Sequence, residues 1–192
     1  MPATQLRGVT VDGHAVLELA SDASYAALTH AWRGKSPGPL AWRWQLVQPN
    51  PQADIATKAG DDAALKVCVM FDQPLDDIPF GQRAALRLAR ALSGQDLPAA
   101  TLCYLWDSRY PAGKTGVNPY TARVRWRVLQ GAQTPLGQWR LEQRDVAADF
   151  LALFGTESAQ VPPVLAVAVG ADADNTLARN RGYIDALRWV GP

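Results

Sequence analysis

The sequence is short of the residues that most often announce chemistry. It holds two histidines and two cysteines in 192 residues. No GxSxG elbow is present, and His14 and His30 both fall in strand-like segments near the N-terminus, so a serine or cysteine triad has no evident base. A histidine-based metal site fails on number. Cys68 and Cys103 lack CxxC spacing and make no zinc site. The GKTG segment Gly113–Gly116 has no glycine at the upstream offset that a phosphate-binding loop needs. No apolar run approaches the ~20 residues of a membrane span, and no charged-then-apolar leader opens the chain. With 19 Lys and Arg against 18 Asp and Glu, the net charge is +1. That field is too weak to gather a phosphate backbone, which argues against nucleic acid as a main partner.

What remains is a globular composition, 48% hydrophobic and 19% charged. It suits one domain over residues 1–192 that buries roughly 70% of its extended surface. Seven tryptophans serve either a sandwich core or a carbohydrate platform, and the core is the preferred reading. Cys68 and Cys103 sit in strand-like apolar surroundings. Buried free thiols are the preferred reading there; the alternative is a cross-strand disulfide, which implies an oxidising compartment.

Strand patterns recur at Arg7–Val11, Ala15–Ala20, Tyr25–Trp32, Leu40–Val47, Leu65–Phe71, Ala100–Trp106, Ala122–Leu129, Trp139–Arg144, Val164–Val169 and Tyr183–Val190. Leu40, Trp42, Trp44 and Leu46 alternate with Ala41, Arg43 and Gln45, and Val124, Trp126 and Val128 alternate with Arg123, Arg125 and Arg127. Such alternation predicts antiparallel sheets with one wet face. Two amphipathic helices interrupt them. Gln82–Leu92 presents Ala85, Leu88, Ala89 and Leu92 as its covering face. The second is capped by Asp145, buries Val146, Phe150, Leu153 and Phe154, and stops at Gly155. The Pro-rich pieces Ser36–Pro39 and Gln48–Gln52 are too short to separate domains. The pattern predicts an all-β fold: a two-sheet antiparallel β-sandwich of jelly-roll type with two short peripheral helices, an up-and-down barrel being the rival.

Two loops concentrate polar groups. Asp172, Asp174 and Asn175 follow the apolar strand Val164–Val169. They are read either as ligands of a structural Ca²⁺, which takes 6–8 oxygens, or as a self-capped Asx turn with Arg179 or Arg181 as counter-ion. No other cofactor is expected. Trp106 and Asp107, with Asn118, Tyr120 and Arg123, combine flat rings and polar groups in the way a pyranose needs. The competing reading is a buried Trp106 beside an Asp107–Arg123 pair.

Five segments taken together, GDDAALKVCVMFD (Gly60–Asp72), LCYLWD (Leu102–Asp107), NPYTARVR (Asn118–Arg125), QRDVAADFLALFG (Gln143–Gly155) and GADADNT (Gly170–Thr176), resemble a bacterial domain-of-unknown-function family, number 3047. The resemblance runs from about Val9 to Trp189. It implies an exported protein whose members carry a secretion signal ahead of the domain; this chain shows none. A periplasmic or secreted address is expected if an upstream signal was trimmed, and a cytoplasmic one otherwise. The closing strand GYIDALRW (Gly182–Trp189) is similar to the last strand of many carbohydrate-binding jelly rolls.

The function expected from these readings is a non-catalytic binding module for glycan or cell-envelope polysaccharide. The alternatives are a polysaccharide hydrolase or lyase and a protein-interaction scaffold. The enzyme would draw its acids from Asp107, Asp145, Asp172 or Asp174, with Arg123 or Arg144 neutralising a uronate. No catalytic residue is assigned.

Overall fold

The computed structural model describes residues 3–34 and 38–191, so Ser36 and Pro37 of the Ser36–Pro39 piece lie outside the described residues. In chain order the elements are β1 (Gln5–Val11), β2 (His14–Asp22), β3 (Tyr25–Gly34), β4 (Leu40–Gln48), β5 (Leu65–Phe71), α1 (Phe80–Ser93), β6 (Ala100–Trp106), β7 (Thr115–Val117), β8 (Val124–Gln130), β9 (Arg140–Arg144), α2 (Val146–Phe154), β10 (Val164–Asp172) and β11 (Arg179–Trp189). They form two sheets, β1-β2-β11-β4-β9 and β3-β10-β5-β6-β8-β7. The fold is the two-sheet sandwich that the alternation predicts. Every pairing is antiparallel except β6 with β8.

Period-two patterning places the core. Leu40, Trp42, Trp44 and Leu46 of β4 face Val67, Val69 and Phe71 of β5 and Leu102, Tyr104 and Trp106 of β6, all essentially inaccessible. The rings interlock: Trp42 lies 5.5 Å from Trp44 and 5.4 Å from Tyr104, and Trp44 lies 5.8 Å from Trp106. Each large apolar side chain buried here contributes roughly 1.5–3 kcal/mol. Helix α2 closes one end as expected. The Asp145 carboxylate accepts from the Ala148 N–H, and Phe150 packs 4.6 Å from Phe71.

Two expectations are corrected, and one point that alternation leaves open is decided. Leu88 and Leu92 of α1 are exposed, and Leu86 instead packs with Ile78 and Ala99. Polar tethers set this rotation: Gln82 accepts from Arg123, Arg90 donates to the Leu97 carbonyl and Arg83 pairs with Asp76. On the open point, the arginine face of β8 is not the wet one. Arg123 and Arg125 pair with Glu157, Arg127 pairs with Asp149, and the Arg125 guanidinium lies 4.2 Å from the Phe154 ring centroid. Val124, Trp126 and Val128 point the other way, into a second apolar cluster on the outer face of the six-stranded sheet. Second, Cys68 and Cys103 are not free thiols. They stand directly opposite each other on β5 and β6, with Cα atoms 4.0 Å apart, and are joined by a disulfide.

Candidate functional site

The outer face of the six-stranded sheet carries a long hollow. Strand alternation puts Lys66, Cys68 and Met70 of β5, Thr101 and Cys103 of β6, Val124 of β8 and Ala168 and Gly170 of β10 on its floor. Small side chains on β10 and the short Cys68–Cys103 bridge keep that floor shallow. A chamber of about 270 Å³ lies over the disulfide. It shares Pro98, Thr101 and Val124 with a chamber of about 380 Å³ beside α1. It also shares Lys66, Cys103, Asn118 and Val124 with a polar niche of about 70 Å³ at Asp61 and Asp172. Beyond the niche, β7 lies so close over Trp126 that a Cβ on Gly116 would overlap the indole.

Two exposed tyrosines flank the hollow. Tyr25, 53% exposed on β3, has the Lys66 ammonium 4.5 Å from its ring centroid. Tyr120, 58% exposed after β7, donates from its hydroxyl to the Lys58 carbonyl and to Asn175 Oδ1. Asn118 donates to Asp61 Oδ2 at 2.6 Å, while its Oδ1 accepts the Tyr120 and Thr121 N–H groups.

The acidic loop is organised by a residue the sequence reading left aside. Asp62, fully buried ahead of β5, accepts from the Asn175 and Thr176 N–H groups, from the Thr176 hydroxyl and from Asn50 Nδ2. Carboxylate oxygens of Asp62, Asp172 and Asp174 come within 4.8 Å of one another, the one such group among the described residues. Lys66 Nζ sits 3.0 Å from Asp172 Oδ2, and Asn175 Nδ2 donates to Asp62 and Asp174. Burial pushes the Asp61 carboxyl above its ordinary value against the Asn118 hydrogen bond. Asp172 rises to about 6, through burial first, with Lys66 opposing and Asp174 adding to the rise.

Asp172 therefore gives stability a measurable pH dependence. Between about pH 4 and pH 6 the folded chain keeps a proton that the unfolded chain has lost, so this group's contribution falls as pH rises through that window. The expected fall is on the order of 2–3 kcal/mol. Urea unfolding at several pH values checks it: the stability of the wild type relative to Asp172→Asn should decline across the window, and parallel profiles would contradict it.

The other candidates disperse. Trp106 is 1% exposed and belongs to the inter-sheet core, so it offers no face to a ligand. Asp107 is a turn-former that accepts the Arg109 and Tyr110 N–H groups, and burial raises its pKa. It does not pair with Arg123. Asp107 follows the C-terminal end of β6 and Arg123 precedes the N-terminal end of β8, and parallel pairing sets those ends apart. Arg123 is buried against Glu157, Gln82 and Gln73 and borders the chamber beside α1. Asn118, Tyr120 and Arg123 thus border the hollow; Trp106 and Asp107 do not. Tyr25, Lys66 and Asp62 were missed because β3, β5 and β10 become neighbours only through the sheet order.

No helix among the described residues is long and apolar enough to cross a membrane. No curated protein matches the chain. A family model described as "Protein of unknown function (DUF3047)" matches residues 1–188. The chain belongs to that family.

Proposed function

We propose that this protein is a non-catalytic glycan-binding module of the cell envelope and that the hollow on the six-stranded sheet is its binding face. The observation that carries the reading is a shallow apolar floor between two exposed tyrosine rings, with Lys66, Asn118, Asp61 and Asp172 at one side. Pyranose C–H faces rest on rings, and hydroxyls exchange hydrogen bonds with carboxylate, amide and ammonium groups. The acids do not support catalysis as well: Asp107 makes a turn and Asp145 caps α2, both away from Asp172 and Asp174. A disulfide between Cys68 and Cys103 favours an exported protein, since such bonds persist in oxidising compartments.

A glycan array supplemented with cell-wall polysaccharides tests this. Tyr25→Ala and Tyr120→Ala should each weaken the strongest signal roughly tenfold, corresponding to about 1–1.5 kcal/mol of lost stacking. Both rings are exposed, so the variants should keep the wild-type melting temperature. An empty array, or binding that both variants leave unaltered, would remove the reading. A Ca²⁺ ion at Asp62, Asp172 and Asp174 is the second reading, favoured by their clustered oxygens. It requires Lys66 and Asn175 to swing aside. Calorimetric titration with CaCl₂ decides it: heat that disappears in Asp174→Asn supports the ion, and no heat eliminates it.

A further inference from the structure

We propose that β3 is a self-association edge, pairing antiparallel with β3 of a second copy about a twofold axis. The inference is independent of the ligand reading. β3 is an edge strand ten residues long, and Tyr25–Trp32 contains no Asp, Glu, Lys, Arg or Pro. Exposed edges present a row of unpaired N–H and C=O groups, and proteins normally guard them with charge, brevity or proline. The other edges are short or carry charge within the strand: β1 has Arg7 at its third position, β9 has Arg140, Glu142 and Arg144, and β7 is three residues long, whereas the one charge of β3, Arg33, stands next to its end.

A second observation selects the occupant. Leu28 of β3 is 54% exposed and borders an open apolar cleft of about 420 Å³ between the sheets, with Val16, Leu17, Val169 and Ile184 in its walls. A twofold axis perpendicular to the sheet maps each face onto itself, so residues of like facing must oppose one another. Centring the pair on Leu28 satisfies this. Leu28 meets the partner's Leu28 at the cleft mouth, Tyr25 meets the partner's Ala31, and Ala26 meets the partner's His30. On either side of that leucine pair large side chains oppose small ones, with no Asp, Glu, Lys or Arg in the seam, and both clefts turn toward the new interface. An unrelated extended peptide could satisfy the ladder, but it would not bring a second exposed leucine to that cleft.

Light scattering after size-exclusion chromatography of the full chain should report twice the 20.8 kDa monomer mass at about 100 μM. Leu28→Lys places two ammonium groups together on the axis and should weaken dimerisation at least about tenfold. Leu141→Lys, on the exposed surface of β9, should leave it unchanged. Leu28→Cys adds the sole free thiol, since Cys68 and Cys103 are bonded, and should give a covalent dimer on mild oxidation. Circular dichroism should match the wild type throughout, because Leu28 is largely exposed. A monomeric wild type overturns the proposal even if it captures strand peptides. A dimer that persists in Leu28→Lys, or fails to cross-link through Leu28→Cys, overturns it as well.

Discussion

Opening the Cys68–Cys103 bond should lower the melting temperature by about 10 °C. The bond joins positions 35 residues apart, and the chain-entropy account assigns a loop of that length about 3–4 kcal/mol. In a domain of this size each kcal/mol moves the midpoint by about 2–4 °C. Packing adds to the effect, because both sulfurs belong to the outer cluster with Ile55, Leu105 and Trp126. Scanning calorimetry of the oxidised chain, the chain after prolonged reduction and the Cys68→Ala/Cys103→Ala variant checks the magnitude. The two altered forms should agree within a few degrees and keep the wild-type far-ultraviolet spectrum, since the inter-sheet core contains neither cysteine. Equal melting temperatures, with mass spectrometry showing the thiols open, would contradict the account. The same treatment should also loosen the floor of the hollow, where Cys68 and Cys103 lie.

The disulfide illustrates what the amino-acid pattern could and could not disclose. Leu65–Phe71 and Ala100–Trp106 are strands with the boundaries that alternation predicts. Whether Cys68 and Cys103 meet depends on β5 and β6 pairing in one particular register, which alternation does not encode. The parallel pairing of β6 and β8 is hidden for the same reason. A pair of Asp107 and Arg123 across neighbouring strands was the competing reading of that polar group, and the direction of β8 places the two apart. Periodicity was also silent about which side of a strand is wet. The apolar and arginine faces of β8 were both visible, yet the arginines are the ones turned toward Glu157, Asp149 and α2. The Asp172–Thr176 loop was recognisable as polar and tight, but its buried anchor Asp62 lies 113 residues from Asn175. Asp149 was closer to legible. It occupies the apolar stripe of α2 with Val146, Phe150, Leu153 and Phe154, where an acid signals a buried partner.

That acid carries the other large effect: Asp149→Ala should cost about 3–5 kcal/mol. Asp149 is 5% exposed. Its Oδ2 accepts from the Tyr104 hydroxyl and Arg144 Nε, both at 2.9 Å, and its Oδ1 accepts from Arg144 Nη2 at 2.8 Å, with Arg127 a further 3.4 Å ion-pair partner. These donors come from β6, β8 and the end of β9, so one carboxylate ties α2 to both sheets. Burial first, and then the carboxylate itself, hold the Tyr104 hydroxyl far above its ordinary pKa, so it stays a donor. Removing Asp149 leaves two guanidinium groups and a phenol without their shared acceptor beside Phe150 and Phe154, where water replaces it poorly. Asp149→Asn keeps the shape and one acceptor but loses the charge, so it should fall between wild type and Asp149→Ala. Tyr104→Phe removes one charge-assisted hydrogen bond and should cost only about 1.5–3 kcal/mol. The double variant Tyr104→Phe/Asp149→Ala should be less destabilised than the sum of the two, because the phenol no longer needs an acceptor once it is gone. Urea unfolding of the four chains measures the cycle; strict additivity, or a loss below about 1 kcal/mol for Asp149→Ala, would show that the carboxylate is not the tie between α2 and the sheets.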